Sequence, residues 1–111
     1  MPSVRAVRNQ IERVEGFAEV VFADERGRTI RWFRMGMPRY PWNTPAPDDW
    51  TFADWKRERF YPVYGNLMVY VHAYDFHLRS LAVTDSMKLS FMRGRSYQFY
   101  EKCRKEWKKS R

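Results

Sequence analysis

Apolar residues near the start of the chain recur at helical steps. Val4, Val7, Ile11 and Val14 form one stripe, while Arg5, Arg8, Glu12 and Arg13 occupy other faces. This predicts a helix over residues 3–15, capped by Ser3. Gly16 is suited to the left-handed position after the last turn, and Phe17 can fold back towards Ile11.

The pattern then shortens to a period of two. Residues 17–23 and 28–35 read as a hairpin around the turn Asp24-Glu25-Arg26-Gly27. Setting Phe22 opposite Ile30, Val20 opposite Trp32 and Ala18 opposite Arg34 collects Ala18, Val20, Phe22, Ile30 and Trp32 on one face. A slip of one residue would scatter that set. Glu19, Val21, Arg31 and Phe33 make the other, half-polar face.

Residues 36–50 form a connector with Pro38, Pro41, Pro45 and Pro47, which forbid a regular helix. A second helix follows over residues 51–61. Thr51 and Asp54 match a capping box, and Trp50 and Trp55 a hydrophobic staple. Lys56, Arg57 and Arg59 give it a basic outer face, and Tyr61-Pro62 ends it.

Residues 67–74 read as a strand, with Leu67, Val69, Val71 and Ala73 on one face and Met68, Tyr70, His72 and Tyr74 on the other. Residues 79–84 return as its partner. Met87, Leu89 and Phe91 alternate with polar residues, predicting a short fifth strand. After Arg93-Gly94-Arg95, Ser96 caps a final helix, residues 97–109. The order helix, Gly, hairpin occurs twice, at Gly16 and at Gly65, as a weak internal repeat. The expected fold is α+β, in the order αββ–loop–αββ–β–α: an antiparallel β-sheet of two hairpins plus the fifth strand, with about three helices.

With 111 residues, 44% hydrophobic and 18% aromatic, the chain has enough core formers for one folded domain spanning residues 1–111. Its mean hydropathy of −0.74 reflects Lys and Arg. Cys103 is alone, so an internal disulfide is excluded and a reducing compartment is expected. The first residues lack the apolar run of a signal peptide, and no stretch approaches a membrane span. The expectation is a cytoplasmic protein without membrane attachment.

Charge changes this picture most. The formal net charge is +8 and the pI is about 9.9. Residues 88–111 hold nine Lys or Arg against Glu101 and Glu106, so the rest of the chain is nearly neutral. On the final helix, Tyr100, Cys103 and Trp107 lie at three- and four-residue steps and form a docking stripe. The cations then face outward.

Catalytic patterns are missing from the sequence: it has no Gly-rich phosphate loop, no GxSxG elbow, no HExxH and no calcium-loop spacing. No cofactor or metal ligand set is expected. His72, Asp75 and His77 are the one group able to do acid–base work, which keeps a small ribonuclease toxin as an alternative. An ordinary hydrogen-bonded histidine beside Tyr70 and Tyr74 fits His72 well and is the favoured reading.

The leading expectation is a non-enzymatic protein that binds nucleic acid, as RNA or single-stranded DNA, or a nucleoprotein complex. Residues 96–111, the basic C-terminal helix, supply the surface, with the residues just before them. The residues assigned to it are Arg93, Arg95, Tyr97, Lys102, Arg104, Lys105, Lys108, Lys109 and Arg111, with Tyr40 and Trp42 as loop aromatics for stacking. The competing expectation is a small inhibitor or adaptor, of the kind phages and mobile elements make against host defence complexes (an anti-CRISPR type), docking on an acidic host protein surface through Trp, Tyr and Arg.

Overall fold

The computed structural model describes residues 2–74, 77–93 and 97–109. Helix α1 (Val4–Glu15) begins where the stripe predicts. The Ser3 hydroxyl accepts from the Ala6 N–H, and Gly16 closes the helix at φ 75°. Val4, Val7 and Ile11 are buried, and so is Glu15, one turn further along the same face.

Strand β1 (Glu19–Ala23) pairs with β2 (Met68–Tyr74), which in turn pairs with β3 (Ser80–Ala82). Both pairings are antiparallel, in the order β1-β2-β3. Val20 lies opposite Val71, and Phe22 opposite Val69. The alternation in β2 is as expected: Val69, Val71 and Ala73 are buried, while Met68 and Tyr70 are exposed. The α+β class and the β2–β3 hairpin therefore agree with the sequence pattern.

The first hairpin is a stub. Gly27 donates to the Asp24 carbonyl, Asp24 to Arg28, and Ile30 to Phe22 at 2.9 Å, so the turn and its register form. Beyond Ile30 the chain leaves. The Trp32 and Arg34 carbonyls instead accept from the N–H groups of Arg5 and Val4, each at 2.8 Å. The first turn of a helix has donors with no partner inside the helix. Here they draw in a segment that would otherwise have been the outer arm of a hairpin. Trp32, expected in the core, is 53% exposed.

The second helical region starts at the capping box and runs as α2 (Phe52–Trp55), a π-helical turn (Lys56–Phe60) and α3 (Tyr61–Tyr64). It passes through Pro62 rather than ending there. Tyr61 donates five residues back to Lys56, a wide turn that eases the clash a proline ring makes with the carbonyl four residues earlier. Nor is its outer face uniformly basic. Arg59 is turned inward, and Lys56 pairs with Asp85 at 2.6 Å, leaving Arg57 exposed.

The fifth strand is a helical turn, α4 (Leu89–Met92). Its approach repeats the first correction. The Met87 and Asp85 carbonyls accept from Phe52 and Ala53 at the start of α2, at 2.8 and 3.1 Å. Leu89 and Met92 then enter the core. The order helix, Gly, strand recurs at Gly16 and Gly65, but only the second leads into a full hairpin, and Gly65 is right-handed at φ −49° where Gly16 is left-handed.

Helix α5 (Tyr97–Lys109) has the expected span and packs against β2. Its stripe is less buried than predicted: Tyr100 and Cys103 are half-buried, and Trp107 is 47% exposed. Among the described residues no helix is long and apolar enough to cross a membrane.

Candidate nucleic-acid interface

Three parts of the structure decide which predicted site residues can reach a ligand. One is a buried polar network around Glu15. Its carboxylate accepts from the Ala46 N–H at 2.8 Å, from Arg59 at 2.7 Å, from Arg93 at 3.1 Å and from the Tyr40 hydroxyl. Trp55 Nε1 donates to the Tyr40 hydroxyl at 3.0 Å. Arg59 also donates to the Thr44 carbonyl, and its guanidinium lies over the Trp42 and Trp50 rings. Arg93 Nε donates to the Glu15 carbonyl at 2.7 Å, and its other arm reaches Asp48.

This network removes three residues from the predicted site. Tyr40 is buried, and burial together with the adjacent Glu15 carboxylate pushes its phenol well above the ordinary value. It cannot stack on a base. Trp42 is half-buried, 5.1 Å from Tyr40 and covered by Arg59. Arg93 is spent on two carboxylates. The proline-rich loop is therefore pinned: Met37 and Ala46 are buried, and Tyr64 donates to the Pro38 carbonyl at 2.8 Å.

The second part is α5. Lys102, Lys105, Lys108 and Lys109 are exposed, and Arg104 is half-buried. Lys105 lies 3.5 Å from Glu101, a pair in open solvent. With the described residues, Lys102, Arg104, Lys108 and Lys109 form no ion pair. Arg104, Lys105 and Lys108 line a groove of about 180 Å³ with Glu101 and Leu78. Arg95 and Arg111 lie outside the described residues, as does the side chain of Tyr97.

The third part was missed by the hydrophobic pattern. Trp32, Phe33 and Met35 are 53, 55 and 66% exposed. The Trp32 and Phe33 rings meet edge to face at 5.8 Å. Arg5 stacks over Trp32 at 5.3 Å, and Arg31 over Phe33 at 5.8 Å. The interleaving of Arg with aromatics in Arg31-Trp32-Phe33-Arg34 was the available signal. Reading the segment as a strand hid it, because alternation assigned Trp32 to the core.

Of the three residues of the acid–base group, two are described. His72 Nδ1 lies 3.4 Å from the Ser80 hydroxyl, His77 is exposed, and Asp75 falls outside the described residues. No three His, Cys, Asp or Glu side chains there converge to hold a metal ion.

No protein-family model matches this chain, and the comparisons with curated proteins and with solved structures return no match.

Proposed function

We propose that this is a non-enzymatic binding protein that docks on the phosphate backbone of nucleic acid through α5. The observation that carries this reading is the array of Lys102, Arg104, Lys105, Lys108 and Lys109 on one helix, where neutralising carboxylates are few. Structural cations in this protein are consumed by specific partners, as Arg59 and Arg93 are by Glu15. On α5 only Lys105 has an ion-pair partner among the described residues, Glu101, and that pair is exposed.

A phosphate chain satisfies such an array by releasing its condensed counterions. Contacts of this kind position the protein without reading bases. The test is retardation of labelled RNA and single-stranded DNA at low salt, with release as salt rises. Failure to retard either oligonucleotide at low salt overturns the reading.

A further inference from the structure

We infer that the cleft between α1 and Trp32 is a second contact, one that takes a single unstacked nucleobase of a single-stranded nucleic acid. The inference rests on the reading that the protein binds nucleic acid, and it adds a base-stacking site on a different element from α5.

The cleft is lined by Arg5, Arg8, Asn9 and Trp32 and holds about 210 Å³. At roughly 30 Å³ per water this is the space of several waters, enough for one heterocycle. Trp32 offers the aromatic surface. An exposed tryptophan on a mobile loop would lose entropy on stacking. Here the backbone is anchored before the ring by the Ile30 N–H, which donates to the Phe22 carbonyl, and at and after it by the Trp32 and Arg34 carbonyls, which cap the first turn of α1. The ring is therefore exposed yet held in place, with Phe33 against its edge.

The polar groups suit a nucleotide. Asn9 carries an amide able both to donate to and accept from a base edge. The Arg5 guanidinium is already parallel in role to a stacked base, lying over the Trp32 ring, and arginine planes stack with bases as aromatic rings do. Arg8 is incompletely satisfied: its ion pair with Glu12 is long, at 3.8 Å, and its buried Nε has no hydrogen-bond partner among the described residues. The other wall of Asn9 opens into a cleft of about 400 Å³ that includes Arg13 and Arg39. A strand seated at Trp32 can thus continue over α1 past further cations. A duplex cannot use the site, since its bases are stacked on one another.

The experiment measures binding of short fluorescein-labelled single-stranded RNA, single-stranded DNA and the matching duplex by anisotropy at low salt. The proteins are the full chain, Trp32→Ala, Trp32→Phe and a variant with Lys102, Lys105 and Lys109 changed to Gln. Trp32→Ala should weaken single-strand binding about tenfold, while Trp32→Phe retains most of it. Duplex binding should hold within about twofold for both. The lysine variant should weaken single strands and duplex alike. Equal single-strand affinity of Trp32→Ala and wild type overturns the inference and leaves the α5 reading standing. So does an equal loss on duplex. Absence of binding by wild type overturns both. Should Trp32→Ala not fold, Trp32→Phe decides: it keeps an aromatic ring, and unquenched tryptophan emission on saturation with single strand, for wild type as for Trp32→Phe, also overturns the inference.

Discussion

Arg59 Nη1 donates to Glu15 Oε2 at 2.7 Å across a separation of 44 residues, and each residue comes from the apolar stripe of its own helical segment. Glu15 lies four residues beyond buried Ile11, and Arg59 four beyond buried Trp55. The pair, joined by Arg93, ties α1, the proline-rich loop, the π-helical turn and α4 together.

Removing the carboxylate leaves two guanidiniums without a buried partner. Glu15→Gln should destabilise the protein by about 3–5 kcal/mol, read as a fall in the urea midpoint at unchanged slope. Asp48→Asn deletes the other partner of Arg93, but the Asp48 side chain is 72% exposed, and the loss should stay under about 1 kcal/mol. Equal effects would place the network's weight at its surface end.

Tyr40→Phe tests whether the loop aromatic is structural. It strips one donor from Glu15 and leaves the Trp55 N–H without its acceptor. The expected cost is about 1–3 kcal/mol in chemical denaturation. Nucleic-acid affinity should be unchanged, because only 2% of the residue is exposed.

The capping box predicts a feature of the acid limb. The Thr51 backbone N–H donates to Asp54 at 3.0 Å and holds its carboxyl below the ordinary value of 3.8. A lowered folded value means the contribution is fully present above 3.8 and is lost as pH falls through the lower, folded value. Thermal melts from about pH 5 to pH 2 should show Asp54→Asn with a flatter decline than wild type. Thr51→Ala, which removes the bond from the Asp54 N–H, should cost about 1 kcal/mol at neutral pH.

Changing Lys102, Lys105 and Lys109 to Gln should lower the salt dependence of binding. If each meets one phosphate of a single strand, the slope of log K against log salt shrinks by about 2. Arg57→Gln, on a helix remote in sequence and already paired with Asp54 and Glu58, should leave the slope unchanged. A slope that stays the same in the lysine variant would remove α5 from the interface.

Local signals were legible wherever the deciding partner lies close in sequence. Ser3 and Gly16 bound α1, Thr51 and Asp54 start α2, and Asp24 to Gly27 make the predicted turn. The two strands that failed have one cause. Residues 28–35 and 87–92 carry strand-like alternation, yet the Trp32 and Arg34 carbonyls within the first, and those of Asp85 and Met87 leading into the second, go to the first N–H groups of a helix distant in sequence. Alternation reports which side chains can share a face. It does not report where the backbone finds its hydrogen bonds.

The site divides in the same way. The basic character of α5 is a property of composition and was visible at once. The loss of Tyr40, Trp42 and Arg93 was not, because it depends on Glu15. A carboxylate on an apolar stripe is a visible anomaly, and so is Arg59 on the next one. Their opposite charge hints at a pair, but not at the aromatic and arginine partners that complete it.

The sequence alone determined the α+β class, the caps of α1 and α2, the inward face of β2 and the concentration of charge in the last quarter of the chain, since these follow from periodicity, capping chemistry and counting; the expected Ser96 cap lies outside the described residues. The tertiary structure decided which cations are spent and which are free, and which aromatics are core and which are surface. Those outcomes depend on partners brought together by folding. A buried carboxylate must gather donors, and a helix end must find acceptors, wherever in the chain they lie.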